Sequence, residues 1–253
     1  MVASRWCPLL ELDVRGAYAC LTLTMLPKQW PHVRKGATPY LEWPRRFPTD
    51  DRWSWNEVFR AASCLASRAR CLLWWRILHN RWNSNERARS WDPGETGLCP
   101  HGCGVLGSTA HVFVECREAV AVWHWLACLW RRITDDGELR CDARAVLSGF
   151  ALPVVRSWRP LRRLRLALYT ECLGAIADSN HAARRVRREL GNPEFLPKPQ
   201  QLAVRAVRLR VRQEFESASV LGERALEKFA TLWQVGEVIC SVGVDGALEV
   251  VIS

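Results

Sequence analysis

Apolar residues recur at helical spacing through most of the chain. Trp55, Phe59, Ala62, Ala66, Ala69, Leu73 and Ile77 fall at three- and four-residue steps, which places them on one helix face. Asn80 to Asn85 end that pattern, and Asn83-Ser84-Asn85-Glu86 has the composition of a new helix start. Ala119, Trp123, Leu126 and Trp130 define a second amphipathic helix, stopped by Asp135-Asp136-Gly137. A longer stripe, Leu161, Leu164, Leu168, Cys172 and Ala175, begins near Trp158. After the breakers Gly191-Asn192-Pro193 and Pro197-Lys198-Pro199, Val204, Val207, Val211 and Phe215 stripe one more helix.

Strand-like alternation is confined to the two ends. Residues 19–26 are rich in strand formers and lead into a loop punctuated by Pro27, Pro31, Pro39, Pro44 and Pro48. Residues 238–243 and 247–252 flank Val244-Asp245-Gly246 and read as a β-hairpin. The expected fold is mainly α, a helical domain with a small zinc knuckle and short β elements at the N- and C-termini. Its expected divisions are a β-leaning lead over 1–52 that reads as the end of a truncated upstream domain, a zinc-binding helical module over 53–133, and an Arg-rich helical tail over 134–253.

The knuckle rests on Cys99-Pro-His-Gly-Cys103-Gly, followed by His111 and Cys116. A short Gly-containing loop folds two thiolates back onto one ion, and a His and a Cys from the next element complete a tetrahedron of three sulfurs and one nitrogen. Gly102 and Gly104 supply backbone freedom, and Ser108 or Thr109 can cap the turn that presents His111. His111 and Cys116 are five apart, about 140° around an ideal α-helix. Cys116 is therefore expected at the end of a short helix, with the Ala119 helix starting after it. His101, inside the loop, is an alternative ligand. Four protein ligands leave no open position, so the expected Zn²⁺ is single and structural rather than hydrolytic.

Composition changes the picture in two ways. The 11 cysteines are odd in number, most stand alone in apolar helical patterns, and no signal peptide is expected ahead of them. A reducing compartment, nucleus or cytoplasm rather than outside the cell, is the expected location, where clustered Cys and His read as metal ligands. The run around Leu9, Leu10, Val14 and Leu21 is broken by Glu11, Asp13 and Arg15, and no uncharged stretch approaches the roughly 20 residues of a membrane helix.

Charge is the second. Of 36 basic residues only Lys28, Lys35, Lys198 and Lys228 are lysines. Residues 156–212 hold 14 basic side chains against Glu171, Asp178, Glu189 and Glu194, so the chain's whole formal excess of +10 lies there. Arg159, Arg162, Arg163 and Arg165 line the start of one helix, Arg184, Arg185, Arg187 and Arg188 its far end, and Arg205, Arg208, Arg210 and Arg212 the next. Such a face would neutralise phosphates of RNA or DNA without sequence preference. The alternative is a solvated face whose arginine stems cover apolar surface. The near-neutral residues 53–155 give the zinc module no phosphate surface of their own.

Leu73-Trp-Trp-Arg-Ile-Leu-His-Asn-Arg-Trp82, Cys99-Pro-His-Gly-Cys103, His111-Val-Phe-Val-Glu-Cys116 and Ala121-Val-Trp123 together resemble the reverse-transcriptase zinc-binding domain, found downstream of the polymerase in non-LTR retrotransposon proteins. The resemblance covers about residues 53–133. It implies that Cys99, Cys103, His111 and Cys116 are ligands and that Trp75 and Trp123 pack the flanking helices. The Cys–Cys loop is one residue longer than the family's, and Gly107 and Ala110 stand where the family carries acids. Asp50-Asp51 and Asp135-Asp136 lack the frame of a polymerase metal site, and no ribonuclease H, endonuclease or phosphate-loop motif is present. The expected function is a non-catalytic, zinc-stabilised domain of a retrotransposon-derived protein that assists RNA or DNA binding. The alternative is a structural zinc module for protein–protein interaction.

Overall fold

A computed structural model describes residues 43, 45–48, 58, 67–134, 141–149, 159–190, 196 and 198–252. The β-leaning segment at 19–26, the stripe from Trp55 to Ala66, and the turns at 135–137 and 191–193 lie outside these residues. The chain divides into two compact units, Met1–Trp53 and Ser54–Ser253. In the first, Trp43 is buried and stacks on Phe47, with ring centroids 6.2 Å apart.

The second unit is mainly helical. Its described elements are α1 (Arg68–Leu78), α2 (Asn85–Ala88), a π-turn (His111–Glu115), α3 (Arg117–Thr134), α4 (Ala143–Leu147), α5 (Arg159–Leu190), α6 (Pro199–Leu221), α7 (Glu223–Trp233), a 3₁₀ turn (Val235–Glu237), β1 (Cys240–Val242) and β2 (Leu248–Val250). The two strands pair antiparallel, with Cys240 opposite Val250 and Val242 opposite Leu248, and close the expected C-terminal hairpin. No helix among the described residues is long and apolar enough to cross a membrane.

α5 is the spine. It packs against α1, α3, α6, α7 and the π-turn, so its central residues face neighbours on all sides. Leu164, Leu168, Cys172 and Ala175 of the expected stripe are buried, and so are Leu166, Ala167, Tyr169, Leu173, Ile176 and Ala177 between them. On α1 the buried residues are Trp74, Ile77 and Leu78, while Ala69 is exposed. Trp74 sets its indole edge on Tyr169 at 5.1 Å, and its Nε1 donates to the Leu147 carbonyl at 3.0 Å. Tyr169 stacks in turn on Trp123 of α3 at 5.6 Å. Burying three aromatic rings from three helices on one another contributes both area and specific geometry.

α7 lies outside the sequence reading. Gly222 ends α6 with φ +90° and admits a sharp change of direction, after which Phe229 and Trp233 bury against the preceding helices. Leu226, Phe229, Ala230 and Trp233 carry the helical spacing that marks such an element.

Candidate metal centre

The knuckle is built over residues 98–107. Leu98 and Leu106 form an antiparallel bridge, Cys99 N–H donates to the Val105 carbonyl at 2.8 Å, and Gly102 N–H to the Cys99 carbonyl at 3.2 Å. Gly102 (φ +76°) and Gly104 (φ +75°) flank Cys103 in the left-handed region, where a Cβ is disfavoured. The short α2 braces the knuckle from outside. Ser84 caps it by accepting the Arg87 N–H, Asn85 Nδ2 donates to the Leu98 carbonyl at 2.9 Å, and Glu86 N–H reaches the Gly107 carbonyl.

The second ligand pair comes from the π-turn. Ser108 Oγ accepts the His111 N–H at 3.1 Å, as expected of a cap, and Cys116 N–H donates to the His111 carbonyl at 2.6 Å. This i→i+5 bond is the feature that brings the two ligands together: an α-helix would carry residue 116 well round the cylinder, whereas the wider turn returns it to the side of residue 111. Cys116 itself is extended (φ −63°, ψ 131°), and α3 begins at the next residue.

The ligand atoms of Cys99, Cys103, His111 and Cys116 all lie within 4.8 Å of one another. Cys99 Sγ and Cys116 Sγ are 3.8 Å apart, and Cys103 Sγ and Cys116 Sγ 3.7 Å. Thiolates about 2.3 Å from a tetrahedral zinc stand about 3.8 Å apart, so the sulfurs already have the required spacing. His111 Nε2 is buried and has no hydrogen-bond partner, while Nδ1 lies 3.9 Å from Glu115 Oε2. A cation among the sulfurs would satisfy that orphan nitrogen, and the Glu115 carboxylate behind the ring, beyond hydrogen-bond reach, would attract a proton on Nδ1 through space.

Backbone donors complete the arrangement. The N–H groups of His101, Arg117 and Glu118 donate to the sulfurs of Cys99, Cys103 and Cys116 respectively. Two of these are first-turn groups of α3, which have no partner inside their helix and carry the positive end of its dipole. Hydrogen bonding from Cys116 holds the Cys99 thiol well below the ordinary range, while burial pushes Cys103 up. The Cys99 bond and burial push Cys116 up as well. A divalent ion would let all three sulfurs ionise.

His101 is buried but stands outside the ligand group; its carbonyl accepts from Arg117 Nη2 at 2.9 Å. The aromatic surroundings tie the centre to the core. Phe113 in the π-turn is buried, meets Trp82 edge-on at 4.9 Å, and accepts Trp123 Nε1 at its carbonyl at 2.7 Å. Glu115, Arg117, Glu118 and Trp82 therefore support the centre without ligating. Sequence reasoning missed the role of the first three. Their positions beside His111 and Cys116 were the only available signal.

The arginines are divided by the fold. Arg165 is buried with its guanidinium 6.0 Å from the Trp130 ring, Arg184 pairs with Glu95 at 3.0 Å, and Arg188 pairs with Asp92 and Glu95. Arg208 Nε donates to the Ile252 carbonyl at 2.9 Å, and Arg210 is drawn into an interhelical network with Glu171 and Glu214. Arg163, Arg185, Arg187, Arg205 and Arg212 are exposed and Arg162 is half-buried. The side chain of Arg159 is outside the described residues.

The second unit is thus a helical protein organised around a Cys₃His cluster fit for a metal ion. No family model, curated protein or solved structure matches the chain.

Proposed function

We propose that this chain is a non-catalytic, zinc-stabilised module of a reverse-transcriptase-related protein, and that it assists RNA or DNA binding. The observation that carries the metal half is the closed Cys₃His cluster, with sulfurs at 3.7 and 3.8 Å and an orphan His111 Nε2. Soft thiolates in a tetrahedral frame favour zinc over harder divalent ions, and four protein ligands leave no position for a reacting water. The nucleic-acid half is supported by the exposed Arg163, Arg185, Arg187, Arg205 and Arg212 and the half-buried Arg162, since the planar guanidinium fork suits phosphate oxygens.

A second reading, a zinc module that docks on another protein, is favoured by Arg165, Arg184, Arg188 and Arg208, which serve internal contacts, and by the exposed Leu98, Val105 and Leu106 on the knuckle. One experiment separates the two. Purified protein is assayed for zinc and then titrated with a labelled single strand across a salt series. The expected result is one zinc per chain and affinity that falls linearly with the logarithm of salt concentration. Absence of binding at low salt would leave only the docking module, and absence of zinc would remove both.

A further inference from the structure

Residues 53–155 are near neutral in sequence, yet the fold brings arginine onto the knuckle from far along the chain. The last third of α5 runs beside the segment from Trp82 to Gly102. His181 stacks on Trp82 at 5.3 Å, Arg184 donates to the Asn83 carbonyl and to Glu95, and Arg188 reaches Asp92 and Glu95. These contacts fix the helix end and neutralise Arg184 and Arg188. Arg187, one residue away on the helix, is left exposed and rests on the knuckle. Its Nη2 would be 3.3 Å from a Cβ on Gly102, and Arg117 Nη2 would be 4.0 Å from the same point.

Two guanidinium groups therefore converge on a residue without a side chain, from helices far apart in sequence. Arg117 is 69% exposed; it donates one N–H to the His101 carbonyl and stands 3.7 Å from Glu118 through Nε. A guanidinium has five N–H donors, so both groups keep hydrogen bonds for an incoming oxyanion. Next to the Asp92 that anchors Arg188 stands Trp91, 61% exposed in a unit whose Trp74, Trp82, Trp123 and Trp233 are all buried. Arg89, two residues before Trp91, lies across Gly97 at the foot of the knuckle.

We propose that the knuckle and the C-terminal end of α5 form one corner that binds single-stranded nucleic acid, with Arg117 and Arg187 holding a backbone phosphate over Gly102 and Trp91 stacking an unpaired base. The inference rests on the nucleic-acid reading above and names the surface within it. An exposed indole one residue from the Asp92 that anchors Arg188 distinguishes this ligand from an acidic peptide or a bare polyanion, because every base offers a π-face whatever the sequence.

The test uses the full chain and a fluorescein-labelled oligothymidine of about twelve nucleotides, followed by anisotropy over a salt series. Trp91→Ala should weaken binding about tenfold and Trp91→Phe much less. Arg117→Gln with Arg187→Gln should weaken it and reduce the salt slope by about 0.7 for each phosphate contact released. Displacement by inorganic polyphosphate should weaken with the arginine pair and be indifferent to Trp91→Ala. Thermal unfolding and zinc content report whether a variant is folded, and Arg187→Gln alone serves if the double variant is not.

Variants that bind as the parent does, together with a loss on Arg163→Gln, Arg205→Gln and Arg212→Gln, would overturn this surface while leaving the nucleic-acid reading on α5 and α6. A parent protein that binds no oligothymidine at low salt would remove both.

Discussion

At the scale of single residues, the fold uses glycine where a neighbour leaves no room as well as where the backbone turns. Gly149 does both. Its φ is +66°, and an added Cβ would lie 2.5 Å from Cη2 and 2.6 Å from Cζ2 of Trp74. Trp74 cannot retreat, because Nε1 is bonded to Leu147 and the ring edge abuts Tyr169. Gly149→Ala therefore combines left-handed strain of about 1–2 kcal/mol with overpacking of about 1–3 kcal/mol. Gly246 has φ +77° with nothing within 4 Å, so Gly246→Ala isolates the strain alone. Thermal unfolding should show Gly149→Ala losing clearly more stability than Gly246→Ala. Equal losses would mean that Trp74 yields, against the packing described for it.

Among elements, the clearest joint is a charged chain across four helices. Arg70 of α1 pairs with Glu171 of α5 at 3.0 Å, and Glu171 pairs with Arg210 of α6 at 3.1 Å. Arg210 then pairs with Glu214 at 2.8 Å and lies 5.8 Å from the ring of Trp233 in α7, whose Nε1 donates to Glu214 at 2.6 Å. The packing at Gly174 fixes Arg70, since its Nη1 lies 1.8 Å from where a Cβ would be. Glu171 is the pivot: Glu171→Gln leaves two guanidinium groups facing each other with no anion between them. Because Arg70 and Arg210 are partly exposed, the expected cost is about 2–4 kcal/mol, below that of a fully buried pair. Urea unfolding measures it, and adding Arg70→Met with Arg210→Met should recover part of the loss. Recovery distinguishes stranded charge from lost packing. None of this joint is legible in the sequence, where Arg210 reads as one more solvated arginine of a basic helix. The helices themselves are legible because they repeat with the period of their buried face, and the Ser84 cap and the C-terminal hairpin carry local turn chemistry. Which arginine is buried depends on which helix lies opposite, and that is set by contacts tens of residues away.

At the largest scale, the candidate metal centre sits where the elements of the second unit meet. Its ligand types and order are plain in the sequence, but its closure depends on the π-turn, which a 3.6-residue period does not anticipate. Cys99 and Cys103 come from the knuckle, and His111 and Cys116 from the turn that packs on α3, α4 and α5. Through Phe113 the same turn holds Trp82 and Trp123. A bound ion thus cross-links a small loop, which has little core of its own, to the main helical core. Metal removal should loosen the knuckle first and then cost the helices some of their stability, because an ion that binds the folded form alone stabilises it by mass action. Excess chelator at neutral pH should lower the unfolding temperature and expose the thiols of Cys99, Cys103 and Cys116 to a thiol reagent; restoring zinc should reverse both. In Cys99→Ser with Cys116→Ser the temperature should already be lowered, and chelator should lower it no further. The total helicity retained in chelator, read by circular dichroism, tells how far the loosening spreads, since α5 is the longest described helix and has most of its partners outside the knuckle. An unfolding temperature unmoved by chelator in zinc-loaded parent protein would show that the four side chains are close-packed without a metal and would remove the structural role assigned to it.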